Sequence, residues 1–156
     1  MILYDEKFII AAKELLSSAK QRIDISTYKA EYTTTPRGKA LNELFEILIR
    51  KKSEGVLINF IVNQTDHKRT GPRSNIIAIK KLKEKGINPR ILPDNRCCHA
   101  KIIIVDQEKA IIGSHNLSIR STTENFEIST LLSDEISVSF VQAVYNKNLA
   151  VSKEPR

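Results

Sequence analysis

Apolar residues recur along this chain in two alternating rhythms. Phe8, Ala12, Leu15, Leu16 and Ala19 fall three or four positions apart, which predicts a helix over 5–20. Residues 22–28 alternate instead and predict a strand. Pro36 suits a first helical turn, and Leu41, Leu44, Phe45, Leu48 and Ile49 form the apolar stripe of a second helix that Gly55 ends. An apolar run over 56–62 reads as a buried strand. A polar loop over 63–73 leads to a third helix, capped by Ser74, running to Lys85 and closed by Gly86. Residues 87–92 predict a strand that Pro89 confines to an edge. Two short β-branched runs, 102–105 and 109–112, come next, then a connection over 117–122 and a strand over 125–132. A final helix over 134–149 turns Phe140, Val141, Val144 and Tyr145 inward, and 151–156 reads as a frayed tail.

Strands that alternate with helices of this length predict an α/β fold. The expected architecture is a mixed, mostly parallel sheet with helices on both faces, in one domain spanning 1–156.

The two runs at 102–105 and 109–112 flank Asp106-Gln107-Glu108-Lys109, a polar turn with Asp at its first position, so they form a hairpin. A symmetric loop centred between Gln107 and Glu108 sets Lys101 opposite Ser114 and His99 opposite Asn116. An imidazole, an ammonium, a hydroxyl and a carboxamide then share one face, a set able to hold and attack a phosphoryl group. A slip of one residue would send one pair to the other face. His115 points away from this face by strand parity.

Charge sharpens the picture. Ten Lys/Arg against two acidic residues over 67–101 carry all the excess of a chain whose net charge is +7. Lys68, Arg69, Arg73 and Arg96 are the candidate contacts to a polyanion, with His67 beside them; Lys80–Lys85 reads equally well as a solvated helix face. No apolar run approaches the roughly 20 residues that span a bilayer. Asp5, Glu6 and Lys7 interrupt any signal-peptide pattern, which favours the cytoplasm. Cys97 and Cys98 are adjacent, and a zinc site wants spaced ligands, so both are expected as free thiols.

H-x-K-x4-D, followed after six residues by G-S-x-N, is present without departure as His99, Lys101, Asp106, Gly113, Ser114 and Asn116. Six specified positions match by chance on the order of 10⁻⁸ per starting point. The pattern resembles the signature of the phospholipase D superfamily, and Asn125-Phe126-Glu127 resembles the N-x-E that follows it. The resemblance covers nearly the whole chain. Larger members carry the motif twice; this chain carries it once, like small nucleases that pair two subunits around one site.

The resemblance implies a metal-independent phosphodiesterase, an endonuclease acting on DNA or RNA in a homodimer, with no cofactor. It implies that one His99 attacks phosphorus to form a phosphohistidine while the other protonates the leaving oxygen. Lys101 and Asn116 would hold the nonbridging oxygens. Ser114 would bond the phosphate or orient a neighbour, and Glu127 would accept from the far nitrogen of His99. Gly113 would permit a close approach. Asp106, about 23 Å of strand from His99, would build the turn and set the register rather than touch the phosphate. The alternatives are a phospholipid hydrolase or phosphatidyl transferase, and a non-catalytic nucleic-acid-binding module. Against a lipid substrate stand the absence of Trp and an aromatic content of 6%.

Overall fold

The computed structural model describes residues 1–63, 73–93 and 96–155. These form a seven-stranded sheet in the order β1-β7-β6-β5-β2-β3-β4. The strands are β1 (Ile2–Tyr4), β2 (Arg22–Thr27), β3 (Leu57–Val62), β4 (Pro89–Arg90), β5 (Lys101–Val105), β6 (Lys109–Gly113) and β7 (Ile128–Leu132). The helices are α1 (Glu6–Ser18), α2 (Lys39–Ser53), α3 (Ser74–Glu84), α4 (Ile119–Thr123) and α5 (Glu135–Val151). The sheet is mixed, as expected, but its balance differs from the expectation. Only the β2–β3 and β3–β4 pairings are parallel, and the rest are antiparallel. The hairpin contributes one antiparallel pairing itself and imposes others on β2 and β7 at its two edges.

The pattern of apolar positions sorts the helices onto two faces. Phe8, Ala12, Leu15 and Leu16 of α1 and Leu41, Leu44, Phe45 and Leu48 of α2 pack with Ile23, Ile25, Phe60, Ile103 and Ile111. On the other face Val138 and Tyr145 of α5 meet Ile61, Ile104 and Ala110. Helices cover both faces because the central strand β5 is apolar on both sides, with Ile103 and Val105 towards α1 and α2 and Ile104 towards α5.

Several local expectations need correction. Pro36–Gly38 forms a 3-10 turn before α2 rather than its first turn. Ser74 opens α3 but makes no capping bond, and Arg73 occupies the cap position. The strand expected over 87–92 narrows to Pro89–Arg90, because Pro89 lacks an N–H to extend a ladder. The tail is not frayed at its start: Lys153 and Ile91 exchange two backbone bonds of 2.8 Å. Arg90 Nε also donates to Ser152 Oγ at 3.1 Å. The strand β1, three residues long, gives no periodic signal and pairs with the outer edge of β7.

The helix α5 differs most usefully. Val138, Gln142 and Tyr145 face the sheet, while Phe140 and Val144, expected inward, are 69% and 54% exposed. Ile136 is exposed beside them, and Ile2, Tyr4 and Ile128 of the adjoining strands are exposed too. This helix is apolar around most of its circumference, so periodicity alone does not say which side meets the sheet.

Candidate active site

The hairpin turn determines how the motif comes together. Asp106 and Gln107 both take left-handed backbone conformations, with φ of 52° and 62°. Glu108 N–H donates to the Val105 carbonyl at 3.0 Å. This is a type I′ arrangement, and Glu108 is left over before the Val105–Lys109 pair. The loop is therefore three residues long, not four, and the register shifts by one. Lys101 stands opposite Gly113, not Ser114. The glycine is required there because a Cβ would overlap Ser129 and the Ile128 carbonyl of β7. The close approach is thus to backbone.

His99 precedes β5 on a segment held from both sides. The Cys98 N–H donates to Asn63 Oδ1 at 3.1 Å, and Ser26 Oγ donates to the Ala100 carbonyl at 3.1 Å. Cys98 is buried, with its sulfur 3.2 Å from Ser26 Oγ, and burial pushes its thiol above the usual cysteine range. Cys97 is exposed, and both thiols are free. With its flanks anchored, the His99 imidazole projects outward. Lys101 Nζ lies 3.1 Å from its Nδ1 and 2.5 Å from the His99 carbonyl. The Tyr28 ring packs against the imidazole, centroids 5.2 Å apart. Tyr28 was not a sequence candidate; it ends the alternating run that forms β2, and no spacing relates it to the motif. Burial pushes the Lys101 ammonium below its usual value, with the nearby Glu127 carboxylate opposing that shift.

Beyond Gly113 the chain leaves β6, so strand parity no longer governs Ser114 and Asn116. Ser114 is exposed, and its hydroxyl accepts the Ile128 N–H at 3.1 Å. Asn116 Oδ1 accepts the Lys29 N–H at 3.0 Å. That bond orients the carboxamide and leaves its Nδ2 without a partner among the described residues. The Asn116 N–H donates to Ser121 Oγ at 2.8 Å, which donates in turn to Glu127 Oε1 at 2.8 Å. Asn125 Nδ2 also donates to Glu127, at 3.0 Å. Ser121 is a second residue that spacing did not reveal; its signal is a buried hydroxyl on the five-residue α4.

Glu127 does not bond His99 here, contrary to the expectation. It lies one residue before β7, where Ser121 and Asn125 hold its carboxylate, and the His99 nitrogens face Lys101 instead. Burial raises its pKa, but hydrogen bonds from Ser114, Asn125 and Ser121 outweigh that and keep it below the usual glutamate value. His115 is buried and stacks on Phe8 with centroids 4.2 Å apart. Its Nδ1 lies 2.7 Å from Ser129 Oγ.

Asp106 stays at the far end of the hairpin, away from the reacting groups, with its carboxylate on the backbone of Lys20, Gln21 and Arg22. Of the basic candidates, Arg96 lines a cavity of about 260 Å³ together with His99. Arg73 is exposed at the start of α3. Lys68, Arg69 and His67 lie outside the described residues. Among the described residues no helix is long and apolar enough to cross a membrane.

The arrangement presents an imidazole, an ammonium and an oriented carboxamide, with a carboxylate behind them. The imidazole can act as nucleophile or acid, and the two donors can bind phosphoryl oxygens.

Residues 12–148 match the family described as cardiolipin synthase, PLD-like domain. Phospholipase D Z of Dictyostelium discoideum is 28% identical over 127 residues, which is 76% of this chain and 29% of that protein. The chain thus spans under a third of that relative's length. A phospholipase D family member, Nuc from Salmonella typhimurium, aligns with a TM-score of 0.80 at 19% identity, over 100% of this chain and 97% of its own. TrmBL2, an archaeal chromatin protein described for its mode of DNA binding, aligns with a TM-score of 0.63 at 18% identity, over 98% of this chain and 52% of its own. Both structures share the fold. The family match covers most of the chain, which belongs to the phospholipase D superfamily as a PLD-like domain.

Proposed function

We propose that this protein is a metal-independent phosphodiesterase that cleaves DNA or RNA, with its active site completed by a second copy of the chain. The observation that carries the reading is the exposed His99 imidazole held 3.1 Å from Lys101 Nζ. In the first step His99 attacks phosphorus, a P–N bond forms and the P–O bond to the leaving strand breaks. The partner subunit's His99 gives that oxygen its proton. In the second step the same partner histidine removes a proton from water, whose oxygen displaces the imidazole from phosphorus. Lys101 Nζ and Asn116 Nδ2 bind the nonbridging oxygens, where charge builds in both transition states. Ser114 orients the group beside them, and Glu127 supplies negative charge near Lys101 rather than a bond to His99. Lys101 and Asn116 thereby provide the charge stabilisation that a metal would otherwise supply.

Two features support a nucleic acid as substrate. The excess positive charge lies over 67–101, and Arg96 shares a cavity with His99. TrmBL2, which has the same fold, is described as binding DNA. The exposed apolar surface of Ile136, Phe140 and Val144 with Ile2, Tyr4 and Ile128 supports a second copy as the missing half. The family description favours a second reading, phosphatidyl transfer on phospholipids.

The test is a cleavage assay in EDTA on labelled single- and double-stranded DNA and RNA, with phosphatidylglycerol vesicles in parallel. Nucleic-acid cleavage that His99→Ala abolishes, with salt-sensitive binding retained, is expected. Vesicle turnover without nucleic-acid cleavage would replace this reading with the second. Activity that disappears in EDTA and returns with a divalent ion would end the metal-independent mechanism.

A further inference from the structure

His99 is exposed, yet Tyr28 and Asn63, two of the residues that hold it, both bond one buried carboxamide. Asn75, in the first turn of α3, is 0% exposed. Its Oδ1 accepts the Ala30 N–H at 2.8 Å. Its Nδ2 donates to the Tyr28 carbonyl at 2.9 Å and to the Asn63 carbonyl at 2.8 Å. Both of its donor hydrogens and its acceptor oxygen are engaged.

Each bond leads to the reacting groups. Tyr28 carries the ring that packs against His99. Asn63 accepts the N–H of Cys98, the residue before His99. Lys29, between Tyr28 and Ala30, donates its N–H to Asn116 Oδ1. The His99 ring, the His99 backbone and the Asn116 carboxamide therefore share one anchor. The other buried residues of α3 are Ala78 and Leu82, and an apolar side chain would serve packing alone at the same place. A buried amide is tolerated only when its bonds are made, and a fully bonded one is stiff.

We propose that Asn75 is a positioning residue for the phosphodiesterase chemistry. Acting through Tyr28, Asn63 and Lys29, it fixes the positions of the His99 imidazole and the Asn116 carboxamide without touching substrate. The kinetic side of this inference rests on the proposed activity; the structural side does not.

Asn75→Asp keeps the shape and the acceptor facing Ala30 but turns the donor nitrogen into an oxygen facing two carbonyls. Tyr28→Leu removes the ring at the far end of the same path, at a half-exposed position. Both are made in the full chain and compared with the parent by kcat and KM on a labelled oligonucleotide and by NMR of the imidazole signals. In Asn75→Asp, kcat is expected to fall about tenfold or more with KM within about twofold. The His99 signals should shift in both variants as the ring current of Tyr28 is displaced or lost, while those of His115, stacked on Phe8, stay in place. A folded Asn75→Asp with native kcat, or with its His99 signals at parental positions, would overturn the proposal. Should Asn75→Asp fail to fold, Asn63→Ala decides it, and full rate or unmoved His99 signals in that variant would overturn it. A parent chain that cleaves no phosphodiester sinks the proposed activity, and the NMR comparison then judges the Asn75 anchor alone.

Discussion

The carboxylate of Asp106 accepts the backbone N–H of Arg22 at 2.7 Å, tying the tip of the β5–β6 hairpin to the first residue of β2. Lys20 and Gln21 donate to the same carboxylate at 2.8 and 2.9 Å, and the Asp106 N–H returns to the Arg22 carbonyl at 2.9 Å. Burial raises the Asp106 pKa, but the three backbone donors outweigh it and hold the carboxyl below its usual value. The clamp's contribution is therefore fully present above the ordinary aspartate range and is lost as pH falls through the lowered folded value. Asp106→Ala is expected to destabilise the fold by about 2 kcal/mol in chemical denaturation, and Asp106→Asn by about half that. Activity per folded molecule should stay within about twofold, since the residue lies several strand positions from His99. A large loss of kcat at unchanged stability would show that Asp106 has a chemical part.

Phe140 offers the sharpest probe of the second copy. It is 69% exposed on α5, so Phe140→Glu should change the stability of an isolated chain by less than about 1 kcal/mol. In a dimer closed over this face, the same change buries a charge. Light scattering at micromolar concentration is expected to show a dimer for the parent and a monomer for the variant, with cleavage reduced at least about 100-fold. A variant that remains dimeric and active would move the subunit contact elsewhere.

His115 sets a pH dependence of stability. Burial lowers its pKa below the ordinary value of 6.5, against the opposing charges of Glu127 and Asp5. Near that value the unfolded chain takes up a proton that the folded chain refuses, so stability rises with pH there and is lost as pH falls below it. The slope is at most about 1.4 kcal/mol per pH unit for one proton. Denaturation of the parent and of His115→Gln between pH 8 and about 5 is expected to show a flatter profile for the variant. Parallel profiles would remove His115 as the source.

Local pattern carried much of the fold. The stripes of α1 and α2 are read correctly because a helix buries one face and repeats it every three or four residues. The motif residues were legible for a different reason, since phosphoryl chemistry narrows which side chains serve. The misread register has its cause in the turn. Whether the turn after Val105 holds three residues or four depends on two left-handed backbone positions, and neither Asp106 nor Gln107 announces that choice. One residue of register then exchanged Ser114 for Gly113 opposite Lys101.

What the chain determined by itself is the order of its elements and the chemical types gathered around the hairpin, because both follow from short-range spacing. Tertiary structure alone decided which groups touch. Tyr28 reaches His99, and Asn75 binds two separate segments, only because distant stretches are packed together; Ser121 links Asn116 to Glu127 because the short α4 folds the intervening chain back on itself. It also decided that α5 turns Phe140 outward. A helix apolar on several sides has no single face to bury, so the neighbouring sheet selects one and leaves the other exposed.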